Sequence, residues 1–216
     1  MLEKMNEFFD KRLDGYDTHM MTNIESADVF YPFTAGLLPK TDNAKILDLG
    51  CGTGLELEYY FKINPSAKIT GIDLTQSMLD ALQQKFPEKE LTLICDSYFN
   101  VPFGECRFDA AVSVESLHHF KKEEKLPLYT KLCKALKKNG YFILTDYFAL
   151  SDDEEIAFRN ELERLKKEQG IDDDAFYHYD TPLTVAHETE ALQTAGFAEV
   201  TVLQNWGATY TIKARK

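Results

Sequence analysis

The chain has 216 residues, a net charge of −12 and a hydrophobic share of 44%, which suits one domain with a substantial core. Neutralising phosphates takes clustered cations and there is no Lys/Arg block, so nucleic acid and anionic membranes are poor matches as partners. The N-terminal residues lack a signal-type apolar stretch, no apolar run approaches spanning length, and Cys51, Cys95, Cys106 and Cys133 form no Cys-x-x-Cys pair, which together predict reduced thiols in a cytoplasmic protein.

Residues 6–22 alternate Phe8, Phe9, Leu13, Tyr16 and Met20 with charges, predicting an amphipathic helix interrupted at Gly15. A second helix is predicted over residues 25–37, ended by Pro39. Lys45–Leu49 is a short apolar run of strand length that breaks at Gly50, Gly52 and Gly54 before a periodic helix begins at Leu55. Glycine permits positive φ and lets a ligand lie against backbone, while the free N–H groups of a helix start attract an anion such as a carboxylate or phosphate. The spacing is G-x-G-x-G. A dinucleotide site places its third glycine one residue later, where Leu55 stands, and a P-loop needs a Gly-Lys-Ser/Thr that is missing.

Leu47-Asp48-Leu49-Gly50-Cys51-Gly52-Thr53-Gly54 resembles the first motif of the class I S-adenosylmethionine-dependent methyltransferases. The resemblance covers about residues 44–146 in ordered motifs. It implies an α/β fold, a doubly wound and mostly parallel seven-stranded sheet with an antiparallel terminal hairpin, and S-adenosylmethionine as cofactor. Residues 1–40 become an N-terminal helical lid with Tyr16 as its cofactor contact, and residues 44–146 the cofactor-binding core. Residues 147–182 depart from the family's common arrangement and read as a helical cap inserted after the fifth strand, and residues 183–216 become the terminal helix and hairpin, all in one domain.

Downstream residues fill in that expectation. The second strand, Lys68–Asp73, ends on a carboxylate placed to accept from ribose hydroxyls, although an acidic strand end also serves as a helix cap. Leu74 follows it, and Met78 opens a helix where the resemblance puts a cover for the adenine ring. A third strand, Leu91–Cys95, leads to Asp96 and Ser97, and a carboxylate there suits the adenine amino group. With Asp48, Gly50, Cys51, Gly52, Gly54 and Val114, these residues make up the expected cofactor set. The fourth strand is Phe108–Ser113; a charged helix over residues 121–136 follows, ended by Lys137-Lys138-Asn139-Gly140, and the fifth strand is Gly140–Asp146.

Residues 151–169 begin with an acidic first turn and predict a helix, followed by Asp172-Asp173-Asp174 and an aromatic tip, Tyr177-His178-Tyr179. Open α/β sheets bind ligands at the strands' carboxyl ends, so an insertion placed there reads as a substrate cap. Methyl transfer is an in-line displacement in which a general base is optional. The candidate catalytic residues are Glu115, His119, His178 and Tyr179, with Tyr147, Tyr177 and Trp206 as further candidates for lining the acceptor site. No metal site is expected: His187-Glu188 lacks the second histidine of H-E-x-x-H, because residue 191 is alanine, and the aspartate triplet reads as a solvated turn. The terminal helix spans 184–195, and strands over 197–204 and 208–214 flank Asn205-Trp206-Gly207.

The expected function is methyl transfer to a small-molecule acceptor. The competing readings are a protein or other macromolecular methyltransferase, a non-catalytic module that binds the cofactor, and a nucleotide-dependent oxidoreductase. The last is disfavoured by the displaced glycine and the terminal hairpin.

Overall fold

A computed structural model describes residues 1–171 and 175–216. Five parallel strands, β1 (Lys45–Leu49), β2 (Lys68–Asp73), β3 (Glu90–Cys95), β4 (Phe108–Val114) and β5 (Leu136–Tyr147), are completed by the antiparallel pair β6 (Glu199–Trp206) and β7 (Thr209–Arg215). The sheet order is β3-β2-β1-β4-β5-β7-β6. The order reverses beside β1, so its carboxyl end and that of β4 frame the crevice where such sheets bind ligands.

Both faces of the sheet are covered, which is why β1 and β4 read as near-continuous apolar runs. One core joins α3 (Ala27–Gly36), α4 (Leu55–Ile63) and α5 (Gln76–Lys85) to Ile46, Ile69, Val112 and Ile143. The other joins α6 (Lys122–Ala135) and α8 (Val185–Thr194) to Leu47, Ala111, Phe142 and Ile212. Lys125 and Glu188 are buried together between α6 and α8 at 2.6 Å, and the Tyr129 hydroxyl also donates to Glu188. No helix among the described residues is long and apolar enough to cross a membrane.

The predicted N-terminal helix divides at Gly15, whose φ of +84° starts a new helix, giving α1 (Met5–Asp10) and α2 (Tyr16–Asn23). The insertion carries α7 (Asp152–Gln169), capped at its start by the Ser151 hydroxyl. Two predicted boundaries are corrected. Lys137–Gly140 does not follow the end of a helix in a loop; it forms an irregularity inside β5, where pairing jumps from Phe108–Leu136 to Ala110–Tyr141 and Asn139 has φ +66°. Asn205 and Trp206 belong to β6, because Gly207, at φ +57°, makes the turn one step later.

The lid and the insertion are tied to each other. Lys4 and Tyr177 form an antiparallel bridge, His178 N–H donates to Glu3 O at 2.9 Å, and the His178 ring stacks on Phe8 at 3.5 Å. They form one roof over the carboxyl ends of the strands.

Candidate active site

A narrow cleft begins where β1 turns into α4. Gly50 and Gly52 form one wall, Asp73 and Leu74 the next, and Met78 and Val114 add apolar surface. Gly52 has φ +47° and an added Cβ would meet nothing within 4 Å, so its backbone faces open space. Gly50 is different: at φ +72°, a Cβ there would lie 2.0 Å from Ser116 Oγ. Asp73 accepts from Gly52 N–H and Thr75 N–H, each at 2.9 Å, and burial raises its carboxyl above the usual range.

The glycine loop does not offer its N–H groups outward as the sequence led us to expect. Gly50 and Cys51 donate to Ile72 O at 2.8 and 3.2 Å, Gly52 to Asp73, and Gly54 to Cys51 O at 2.8 Å. These bonds shape the turn. What reaches the cleft is backbone free of side chains beside a carboxylate.

Several expected cofactor residues stand behind this surface. Asp48 is buried against Glu56; burial and the neighbouring carboxyl push it well above the ordinary range. Cys51 is buried with Sγ against Gly71, and Gly54, at φ +74°, packs against Leu82 and Leu57 where α4 begins. Asp96 is exposed, and its Oδ1 accepts from Ser97 N–H at 2.6 Å and Asn100 Nδ2 at 3.3 Å, while Ser97 Oγ accepts from Phe99 N–H. Short polar side chains bond their own turns readily, and this holds both outside the cleft. Tyr98, which the sequence reading passed over, lines it instead.

The lid presses into the cleft. Met5, Phe9 and Tyr16 line it from above, leaving a cavity of about 50 Å³. Asp17 holds the lid down by accepting from Thr53 Oγ1 at 2.5 Å and pairing with Lys85 at 2.7 Å, and Lys85 also pairs with Glu58 at 2.9 Å.

A second cavity of about 800 Å³ lies beneath the lid and shares Phe9, Tyr16, Glu115 and His119 with the cleft. Its polar end gathers Glu115, His118, His119, His178 and Asp180, with Tyr147 beside them. Glu115 has φ +49° and accepts from Thr209 Oγ1 at 3.3 Å; burial and the Asp146 charge push its carboxyl up to about 8. His118 Nδ1 lies 2.5 Å from Asp146 Oδ1. Burial lowers the His118 pKa, but the Asp146 charge and hydrogen bond outweigh it and bring the imidazole to about 9. Burial and the His118 charge hold His119 below the usual imidazole range.

The cap residues divide. Tyr147 and His178 reach the large cavity, and so does Trp206, which also packs edge-on to Phe33. Tyr177 lines a smaller cavity near Lys121 and Leu162, and the Tyr179 side chain lines neither; only its carbonyl approaches His119 Nδ1, at 3.2 Å. His187 bonds Glu155 at 2.8 Å, away from the cavity. Asp172-Asp173-Asp174 lies outside the described residues. Asp146 and Asp180 were not anticipated. Asp146 carried a signal, a carboxylate at the end of a parallel strand, whereas Asp180 carried none beyond its neighbours.

Comparison with known proteins agrees with this architecture. Residues 46–140 match the family model described as a methyltransferase domain. The chain is 30% identical over 146 residues, 63% of its length, to the biotin biosynthesis bifunctional protein BioHC of Teredinibacter turnerae, of which it spans 25%. It is 29% identical over 139 residues, 64% of its length, to the tRNA (carboxymethyluridine(34)-5-O)-methyltransferase alkbh8 of Xenopus tropicalis, of which it spans 20%. The structure of human N-acetylserotonin methyltransferase in complex with S-adenosylmethionine superposes with a TM-score of 0.64 at 19% identity, over 91% of this chain and 54% of that one. Residues 46–140 thus match a methyltransferase-domain model, and the chain carries the fold of the class I S-adenosylmethionine-dependent methyltransferases.

Proposed function

We propose that the chain is an S-adenosylmethionine-dependent methyltransferase whose acceptor is a small molecule bound beneath the lid and cap. The observation that carries this reading is the cavity of about 800 Å³ that shares Glu115 and His119 with the cofactor cleft. That volume falls within the range of about 300–1,000 Å³ usual for small-ligand sites. A tRNA acceptor, suggested by the names of four relatives, calls for a cationic face, and a chain of net charge −12 with no Lys/Arg block argues against it.

The residues fit the cofactor. Asp73 retains lone pairs for ribose hydroxyls, Gly52 gives close backbone approach, and Leu74, Met78 and Val114 offer apolar surface for a flat ring. When bound, S-adenosylmethionine supplies a methyl group already activated on a sulfonium. Glu115, standing where the two cavities meet, in its ionised form takes the acceptor's proton; a carboxyl raised to about 8 is half ionised near that pH, and its ionised form is a stronger base than an ordinary carboxylate. His118, His119 and Asp180 orient the acceptor, and Phe9 and Tyr16 exclude water at the junction.

The test is methyl transfer from labelled cofactor to a fractionated metabolite extract, run beside total tRNA and protein. Label should enter the low-mass fraction. Transfer to tRNA or protein alone would refute the small-molecule reading.

A further inference from the structure

The polar end of the acceptor cavity carries more than an acceptor-orienting surface needs. His118 and His119 have ring centroids 4.0 Å apart, and His178 lies 5.0 Å from His119. Asp180 Oδ1 is 3.1 Å from His119 Nδ1 and 3.6 Å from His118 Nε2. One ligand atom from each of His118, His119 and Asp180 lies within 4.8 Å of the others. Metal bonds of about 2.1 Å place neighbouring ligand atoms roughly 3.0–3.4 Å apart; the 3.1 Å separation of Asp180 and His119 falls in that range and the 3.6 Å separation of Asp180 and His118 lies just outside it.

Behind His118 stands a buried carboxylate with its own fixed bonds. Asp146 Oδ1 meets His118 Nδ1 at 2.5 Å and accepts from Tyr147 N–H at 2.9 Å, while Oδ2 accepts from Leu117 N–H at 2.8 Å. A carboxylate so held keeps a proton of His118 on Nδ1 and turns Nε2 toward Asp180, so an ion binding there displaces only the Nε2 proton. A ring nitrogen turned toward a carboxylate is a natural place for a cation to replace a proton, and a carboxylate behind a ligating imidazole is the usual support for one. Asp180 is itself anchored, because the next residue, Thr181, donates its N–H to His118 O at 2.8 Å.

We propose that His118, His119 and Asp180 bind a divalent first-row transition-metal ion, with Asp146 as the positioning residue behind His118. This inference rests on the acceptor-cavity reading and deepens it: the ion's remaining coordination positions face the cavity and take oxygen ligands of the acceptor. Two imidazoles and one carboxylate favour zinc, manganese, iron, cobalt or nickel over magnesium or calcium, which prefer oxygen-only shells. The ion replaces the contact between His119 Nδ1 and the Tyr179 carbonyl. It also joins the cap to the turn after β4, since Asp180 comes from one and both histidines from the other.

The test is titration of the chelator-treated full-length protein with Co²⁺, followed by visible absorption. One ion should bind per chain and be displaced by Zn²⁺ but not by Mg²⁺. Asp180 has a side chain 44% exposed, so Asp180→Asn should keep the fold, checked by circular dichroism, and weaken Co²⁺ binding by at least about 100-fold, as should His119→Asn. Asp146→Asn should weaken it about 10–100-fold. His187→Gln, remote from the cluster, should leave it unchanged. Absence of saturable Co²⁺ binding, or binding that survives both Asp180→Asn and His119→Asn, overturns the proposal. The two readings separate cleanly. Ion binding without methyl transfer to any small molecule retires the acceptor assignment alone, whereas transfer by a protein that binds no Co²⁺ retires the ion alone.

Discussion

Asp17 in the lid accepts a hydrogen bond from the Thr53 hydroxyl in the glycine loop at 2.5 Å and pairs with Lys85 on α5 at 2.7 Å, so one carboxylate ties the lid to two parts of the cofactor site. The closed lid leaves about 50 Å³ in the cleft, far less than an adenosyl ligand occupies, so the lid must lift for entry. The Asp17 side chain is 40% exposed, so the latch contributes about 1 kcal/mol, or roughly fivefold in the open population. Asp17→Ala should raise the association and dissociation rates of S-adenosylmethionine together in stopped-flow measurements, with a smaller change in affinity. Unchanged rates would show that entry does not depend on this latch.

The two loop glycines should respond differently to substitution. At Gly52 an added side chain enters open cleft, so Gly52→Val should abolish cofactor binding by calorimetry, with a stability cost of about 1–2 kcal/mol for a left-handed backbone. At Gly50 the added Cβ collides with Ser116, so Gly50→Ala should lower the melting temperature more than Gly52→Ala does. Retained cofactor affinity in Gly52→Val would remove the loop from the cofactor site.

Glu115→Gln keeps the shape of the side chain and removes its basicity. Turnover should fall by about 10²–10⁴-fold while cofactor affinity changes little. An equal loss in both would assign Glu115 to cofactor binding.

The buried pair Asp48 and Glu56 makes stability depend on pH. Both carboxyls are raised, Asp48 chiefly by burial and then by the Glu56 charge. The unfolded chain releases its protons near pH 4, about the ordinary carboxylate value, and the folded chain still holds one above that, so stability is fullest below pH 4 and declines as pH rises toward the folded pKa. Asp48→Asn removes that decline, with a slope of at most about 1.4 kcal/mol per pH unit per proton. Its melting temperature relative to the parent should therefore climb between pH 5 and pH 8. Parallel curves would mean that the two carboxyls share no proton.

Lys125 and Glu188, each almost wholly buried, join α6 to α8. Glu188→Ala strands a buried ammonium and should cost about 3–5 kcal/mol in denaturant unfolding, whereas Lys125→Met with Glu188→Leu should come close to neutral. Equal losses in both variants would point to packing as the cause.

The strands and helices were legible because local patterns dictate them, the seven-stranded sheet was what the family resemblance implied, and the strand order came only with the structure. Apolar runs of strand length alternated with helical periods, and the glycines of the β1 turn marked the ligand end. Asp73 was legible too, because a strand end dictates where its side chain emerges. The burial of Asp48 beside Glu56, the bonds of Asp96 to its own turn and those of the glycine N–H groups within the loop were not, because sequence spacing cannot say which way a polar group faces. The dependence of Gly50 on Ser116, the latch of Asp17 on Thr53, and the meeting of His118 and His119 with Asp146 and Asp180 belong to the tertiary structure alone. Each joins residues that are distant along the chain, and only the folding of the lid and insertion over the strand ends brings their side chains within bonding reach.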